Sequence, residues 1–408
     1  MTSLPSARSA SPMRLALCLW CVVAAVVSVR TLVVPEKHTI FPVLAGGTAH
    51  WWSDRPLYAD YAPLDYFRYP PFFAVGFTPF WVLGPRCGGV LWGLLGISVF
   101  LLGLWRFLRD VKPACWNPAR EAVFLGLGAL AALRGLWNGQ SNALAVGLLL
   151  LAAAALVRRR GWTAAAVLAA SVLVKLTPLA PALFLCALRP RRLPIRLLLF
   201  LIVGLSLPFL TRPPRIVLDH YREWAAQCGH LGGARWPGFR DAWTVWLVLR
   251  ETLHGRLSAP PLREPLNSSV YRAAQLLTAA AVLAWCLWRR RRIAEARRLT
   301  TEVLAMGLAW LMLFGPAVEQ ATYVFLTPVL TWALLERDGP PGGRRLVVSA
   351  FVLIMLLGWG FAARPVTAAA PVMLAALPVG TTLFVLWLVG YGFAAPVGSR
   401  FKPGEPGA

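Results

Sequence analysis

The chain is 408 residues long, 58% hydrophobic and only 14% charged, with a mean hydropathy of +0.62. A water-soluble globular protein carries about 25% charged residues, so this chain cannot cover itself with water-facing groups and reads as an integral membrane protein. The net charge of +24 would point to nucleic acid in a soluble protein, but the basic residues come in short clusters between apolar runs, a membrane-topology signal that excludes a nucleic-acid partner.

The run from Leu15 to Val34 follows Arg14 and lacks a small-x-small cleavage site. It predicts a retained first helix rather than a cleaved signal peptide. Cys18 and Cys21 fall inside it; with no second pair or nearby histidine they read as small buried hydrophobes, not metal ligands. Further apolar runs lie at 88–108, 120–137, 141–157, 162–176, 178–188, 196–210, 270–288, 299–315, 321–335, 345–362 and 371–391. The pattern predicts an all-α, polytopic transmembrane bundle of about twelve helices forming one domain over residues 1–400, with a short tail at 401–408.

The stretch 70–84 is a short thirteenth candidate. If it dips without crossing, the clusters at Arg106–Lys112, Arg158–Arg160, Arg189–Arg196, Arg289–Arg298 and Arg337–Arg345 all fall on the cytoplasmic side. A re-entrant element of this kind is tolerated where protein buries it. The outer face then holds the loops 35–70 and 211–268, the turns at 138–142 and 175–178, and the turn around Glu319. All five histidines and ten of the seventeen carboxylates lie there. A transporter places ionisable groups along a path at mid-membrane instead.

Within loop 35–70, Glu36, His38 and Asp65 are candidates for a general base, with Arg68 and Tyr69 at its end. Asn138, Gln140 and Asn142 form a polar turn that either contacts substrate hydroxyls or simply joins two helices. Lys175 is either a point charge for a lipid phosphate or a snorkelling interfacial lysine. Loop 211–268 holds eight arginines suited to phosphate, and residues 241–253 predict an amphipathic interfacial helix. Glu319, between two apolar helices, is a functional candidate because a carboxylate so close to hydrocarbon is expensive. No nucleotide-binding or zinc-protease motif occurs.

Several motifs share their order with one known family. Ala45–Gly46, Leu57–Tyr58 and Tyr69–Pro70–Pro71 with Pro79 are followed by Gly139–Gln140–Ser141–Asn142, by Lys175–Leu176–Thr177–Pro178 and by the turn from Gly315 to Tyr323. Over residues 15–335 the chain resembles the polyprenol-phosphate-sugar-dependent glycosyltransferases of the GT-C superfamily, family 87, which include mannosyltransferases. The resemblance implies a multi-pass enzyme of the cytoplasmic (inner) membrane that works on the extracytoplasmic face. It implies inverting transfer of a hexose from a polyprenyl-phosphate donor to a glycan or glycolipid acceptor. No cofactor or resident metal is expected beyond the lipid-linked donor substrate, and a divalent-metal requirement is left open. The early acidic residue of the family falls on or next to His38, and Glu319 and Gln320 stand near a late histidine. Glu36, His38 or Asp65 is therefore expected as the base, Arg68, Tyr69, Asn138, Gln140, Asn142 and Lys175 as substrate- and phosphate-binding residues, and Glu319 as organising the site. A flippase or carrier, or an inactive relative, are the alternatives.

Overall fold

A computed structural model describes residues 10–37, 40–58, 66–113, 116–230, 269–315, 318–336, 342–357 and 376–394; these residues form helices and connections and no strand. The helices are α1 (Ala10–Val33), α2 (Phe41–Trp52), α3 (Pro71–Gly76), α4 (Thr78–Val82), α5 (Gly89–Asp110), α6 (Pro118–Trp137), α7 (Asn142–Val157) and α8 (Gly161–Val174). They continue as α9 (Leu179–Cys186), α10 (Leu193–Ser206), α11 (Pro214–His230), α12 (Ser269–Arg292), α13 (Ala296–Phe314), α14 (Thr327–Leu335), α15 (Gly343–Phe351) and α16 (Ala376–Ala394). Among the described residues three helical stretches are long and apolar enough to cross a membrane: Pro12–Val33, Gly84–Asp110 and Leu193–Leu210. Each predicted apolar run meets a helix, in line with a multi-pass membrane protein.

Helix starts and stops follow local chemistry. At α6 the Asn117 side chain accepts a hydrogen bond from the Arg120 N–H at 3.0 Å, ahead of Pro118. That cap satisfies one of the N–H groups a helix leaves unbonded at its start. Proline likewise stands in the first turn of α3 and α4, where its missing N–H does no harm. The 70–84 stretch is accordingly two short helical pieces, not one span. A π-helical turn, Gly84–Gly88, then feeds it into α5.

The bundle centre is α7, which α5 and α8 flank. A Cβ on Gly147 would lie 2.6 Å from the Val99 carbonyl, and one on Gly103 would lie 2.5 Å from the Gly147 carbonyl. Only hydrogen fits there, so α5 and α7 cross backbone to backbone. Lipid tails are as apolar as leucine, so such close packing of small residues replaces the hydrophobic drive between helices in a bilayer. Alanines 145, 152 and 153 of α7 and 164 and 165 of α8 are fully buried.

α1 is an edge helix. Trp20, Val23 and Val27 face the bundle, whereas Leu15, Val22, Val26 and Val29 are exposed on its other side. Cys18 and Cys21 are also exposed. The expectation that both are buried is corrected: a helix at the rim of a membrane bundle buries one face and presents the other, equally apolar, to lipid.

A second apolar cluster gathers around α2. Phe41, Val43, Leu44 and Trp51 of α2 pack with Leu57, Phe67, Phe73, Phe77 and Trp92. The sequence reading took 35–70 as a loop; its centre is this twelve-residue helix. Phe67 is fully buried over Gly47, where an added Cβ would sit 2.3 Å from the Phe67 ring. Arg212 fastens the far end of α2, with Nη1 on the Asp54 carboxylate at 2.5 Å and Nη2 on the Trp51 carbonyl at 2.6 Å.

The hairpin of α12 and α13 carries a buried ion cluster. Glu302, fully buried, accepts Arg289 Nε at 2.7 Å, Arg289 Nη2 at 2.8 Å and Arg298 Nε at 2.9 Å. Arg289 Nη1 also donates to the Gly392 carbonyl, tying the hairpin to α16. This cluster lies at the helix ends remote from the cavity described next.

Candidate functional site

The start of α7, the ends of α6, α8 and α13, and the segment 66–69 meet at one end of the bundle. They enclose a cavity of about 380 Å³. Arg158–Arg160, which follow α7, and Arg289–Arg292, which end α12, stand at the opposite end of their helices.

The polar wall is made by Tyr66, Arg68, Gln140, Lys175, Thr177 and Glu319. Leu176, Leu179, Ala180, Leu183, Trp310 and Leu311 supply apolar lining. Leu176 and Leu183 are also exposed on the protein surface.

Each polar side chain is placed by local structure. Phe67 anchors the segment below Arg68. Tyr69 stacks on Phe73 at 4.4 Å, and its carbonyl accepts the Tyr58 hydroxyl at 2.9 Å. Trp224 of α11 donates Nε1 to the Arg68 carbonyl at 3.3 Å. Gln140 follows Gly139, whose φ of +69° makes the turn that a Cβ would strain. Lys175 ends α8 in an extended conformation, φ −156° and ψ +133°, which turns it off the helix axis. Glu319 caps the short 3-10 helix Gln320–Phe325: its side chain accepts the Thr322 N–H and its own N–H donates to Thr322 Oγ1 at 3.3 Å.

A line of hydrogen bonds joins these groups. Lys175 Nζ donates to Asn142 Oδ1 at 2.5 Å, Asn142 Nδ2 donates to Gln140 Oε1 at 2.8 Å, and Gln140 Nε2 donates to Glu319 Oε2 at 3.1 Å. Asn142 Nδ2 also reaches the Ala321 carbonyl at 3.1 Å. Lys175 lies in the connection after α8, and enclosure by protein pushes its pKa down; the Glu319 charge opposes that shift and the Arg68 charge adds to it.

Of the residues singled out in the sequence, Arg68, Tyr69, Gln140, Lys175 and Glu319 line the cavity together. Asn142 is buried behind that wall and not part of it. Asn138 is absent from the lining; its carbonyl accepts the Ile40 N–H at 3.2 Å and ties the start of α2 to the turn. Glu36 is exposed in the turn Pro35–Lys37, away from the lining. His38, Asp65 and residues 241–253 lie outside the described residues. Sequence reasoning passed over Tyr66, Thr177, Cys228 and Trp310, which also line the cavity. Thr177 sits in the Lys-x-Thr-Pro turn already noted, whereas Trp310 carries no signal that separates it from a core aromatic. Among the described residues no group of three or more His, Cys, Asp or Glu side chains is placed to hold a metal ion.

The profile of glycosyltransferase family 87 matches residues 67–316, from Phe67 beside the cavity to the connection before Glu319. Among solved structures, the chain is similar to ArnT from Cupriavidus metallidurans bound to undecaprenyl phosphate, with 18% identity, 92% of this chain and 77% of that one covered, and a TM-score of 0.39. The apo state of the same protein gives 17% identity, 93% and 77% coverage and a TM-score of 0.39. No curated protein matches the chain.

Proposed function

The chain belongs to glycosyltransferase family 87, and on that premise we propose that its cavity moves a hexose, mannose in the first instance, from a polyprenyl phosphate to an acceptor outside the cytoplasmic membrane. The observation that carries this reading is the cavity itself. Two cations, Arg68 and Lys175, and the carboxylate of Glu319 line one cavity with apolar residues, of which Leu176 and Leu183 are also exposed on the protein surface. A polyprenyl-phosphate sugar has the matching chemistries: a phosphate for the cations, a sugar for the carboxylate and an isoprenoid chain for the apolar lining.

The step follows from the charges. The acceptor hydroxyl attacks the anomeric carbon of the sugar, and the bond from that carbon to the phosphate oxygen breaks with inversion. Polyprenyl phosphate leaves with its negative charge against Arg68 and Lys175, which stabilise it as it develops. The hydroxyl proton passes to Glu319, whose carboxylate retains accepting positions beyond its bonds to Gln140 and Thr322. The acceptor is a glycan or glycolipid at the outer face. A base drawn from Glu36, His38 or Asp65 is the competing assignment.

The test is transfer of label from polyprenyl-phosphate [14C]mannose to a membrane extract by purified protein. We expect a labelled glycoconjugate, lost in Glu319→Gln and Lys175→Met proteins and kept in Glu36→Gln, His38→Ala and Asp65→Asn proteins. Transfer that survives Glu319→Gln but not one of the latter three reassigns the base. Labelled donor that crosses vesicle membranes with no product formed would instead establish a carrier.

A further inference from the structure

The line from Lys175 to Glu319 has a direction. At every link the donor lies on the lysine side and the acceptor on the glutamate side. The orientation of the Asn142 carboxamide is fixed by its surroundings. Reversed, it would set an N–H₂ against the ammonium and an oxygen against the Ala321 carbonyl. Gln140 is then fixed in turn, because its oxygen faces the Asn142 donor and its nitrogen faces the carboxylate. Asn142 is 1% exposed, so it reaches the cavity only through its two neighbours.

We propose that Asn142, through Gln140, is a positioning residue: a strap of two side-chain amides that holds the phosphate-binding cation and the catalytic carboxylate apart, so that neither neutralises the other. The proposal rests on the reading of the cavity given above. A lysine and a glutamate opening on one enclosed space attract each other strongly when water is scarce. Paired directly, Lys175 would be lost to the donor phosphate and Glu319 to the acceptor proton. The strap supplies each charge with a neutral partner of matching polarity. It also aligns the two amide dipoles head to tail between the charges, and hydrogen bonds linked in this way strengthen one another. Arg68, Tyr66, Tyr69 and Cys228 are the other titratable groups on the cavity wall, and none of them bonds to Asn142.

Two substitutions at one position separate this role from simple packing. Asn142→Leu removes the acceptor of Lys175 and the donor to Gln140 together. Asn142→Asp keeps an acceptor for the ammonium, now charged, and still removes the donor. Binding of polyprenyl phosphate by the purified proteins, titrated from neutral pH upward, reports the charge of Lys175. Turnover with polyprenyl-phosphate [14C]mannose reports the carboxylate. We expect weaker binding already at neutral pH in Asn142→Leu, as Lys175 turns to Glu319, an alkaline limb moved to higher pH in Asn142→Asp, and kcat at least tenfold lower in both. Binding curves that coincide with the wild type in both variants would overturn the strap, as would wild-type kcat in either. Wild-type transfer by Glu319→Gln and Lys175→Met proteins would overturn the reading of the cavity instead, which keeps the two failures distinct.

Discussion

Replacing Glu302 with leucine tests the membrane core most sharply. The carboxylate is fully buried and holds two guanidinium groups through three bonds of 2.7, 2.8 and 2.9 Å. Arg289 is 4% exposed, so without Glu302 its charge has no route to water, whereas Arg298 keeps 22% of its side chain accessible and can turn outward. Summing three charge-assisted bonds at about 1.5–3 kcal/mol each gives roughly 4.5–9 kcal/mol, an upper bound because bonds to one carboxylate are not additive. Breaking a buried pair by removing one partner typically costs about 3–5 kcal/mol, mostly the penalty of a stranded charge. Glu302→Leu should therefore lower the temperature at which the detergent-purified protein loses its monodisperse elution peak by many degrees. Arg289→Met in the same protein should restore most of the loss, since an apolar pair of similar volume needs no counter-charge. A Glu302→Leu protein as heat-resistant as the wild type would refute the reasoning, and so would a double variant weaker than the single one.

Gly147→Ala forces a methyl group against the α5 backbone; it should destabilise the protein by about 1–3 kcal/mol in the same melting assay, with apolar lipid unable to compensate. Phe67→Ala removes a fully buried ring at about 3–5 kcal/mol and loosens the segment that carries Arg68, so donor KM should rise severalfold in the protein that remains folded. For Lys175 the sign of the pH effect is fixed: a depressed pKa means the ammonium is lost at lower pH than an ordinary lysine's. Donor KM should consequently climb as the medium turns alkaline, and Lys175→Arg should flatten that rise because guanidinium stays charged above pH of about 12.

What the sequence reveals depends on the range of the interaction. The membrane helices are legible because a run of apolar residues bounded by arginine or proline sets its own length. The Gly-Gln-Ser-Asn turn, Lys175 and Glu319 are legible as polar interruptions of such runs. That Gln140 and Glu319, 179 residues apart, touch is not; it follows from α7 and α13 bringing their ends together. α2 is hidden for another reason. Its apolar face of Phe41, Val43, Leu44 and Trp51 is short and broken by Gly46 and Gly47, so the stretch reads as a loop until Phe67 and Phe77 cover it. Asn142 shows how far residue type alone misleads: a polar residue in a candidate site turns out to be buried behind the lining rather than at it.

Trp92 connects the two halves of the cavity wall. Its ring lies within 5.1–6.0 Å of Phe73, Phe77 and Phe80 below Tyr69, and its Nε1 donates to the Gly139 carbonyl, one residue before Gln140, at 2.9 Å. Trp92 belongs to α5, a helix of 22 residues, about 33 Å long and slightly longer than a bilayer core of about 30 Å. A helix of that length answers a thinner or thicker bilayer by changing its tilt. Through Trp92 such a tilt would reach the arginine side and the amide side of the cavity at once, so one helix spanning the bilayer couples the two sides to its thickness.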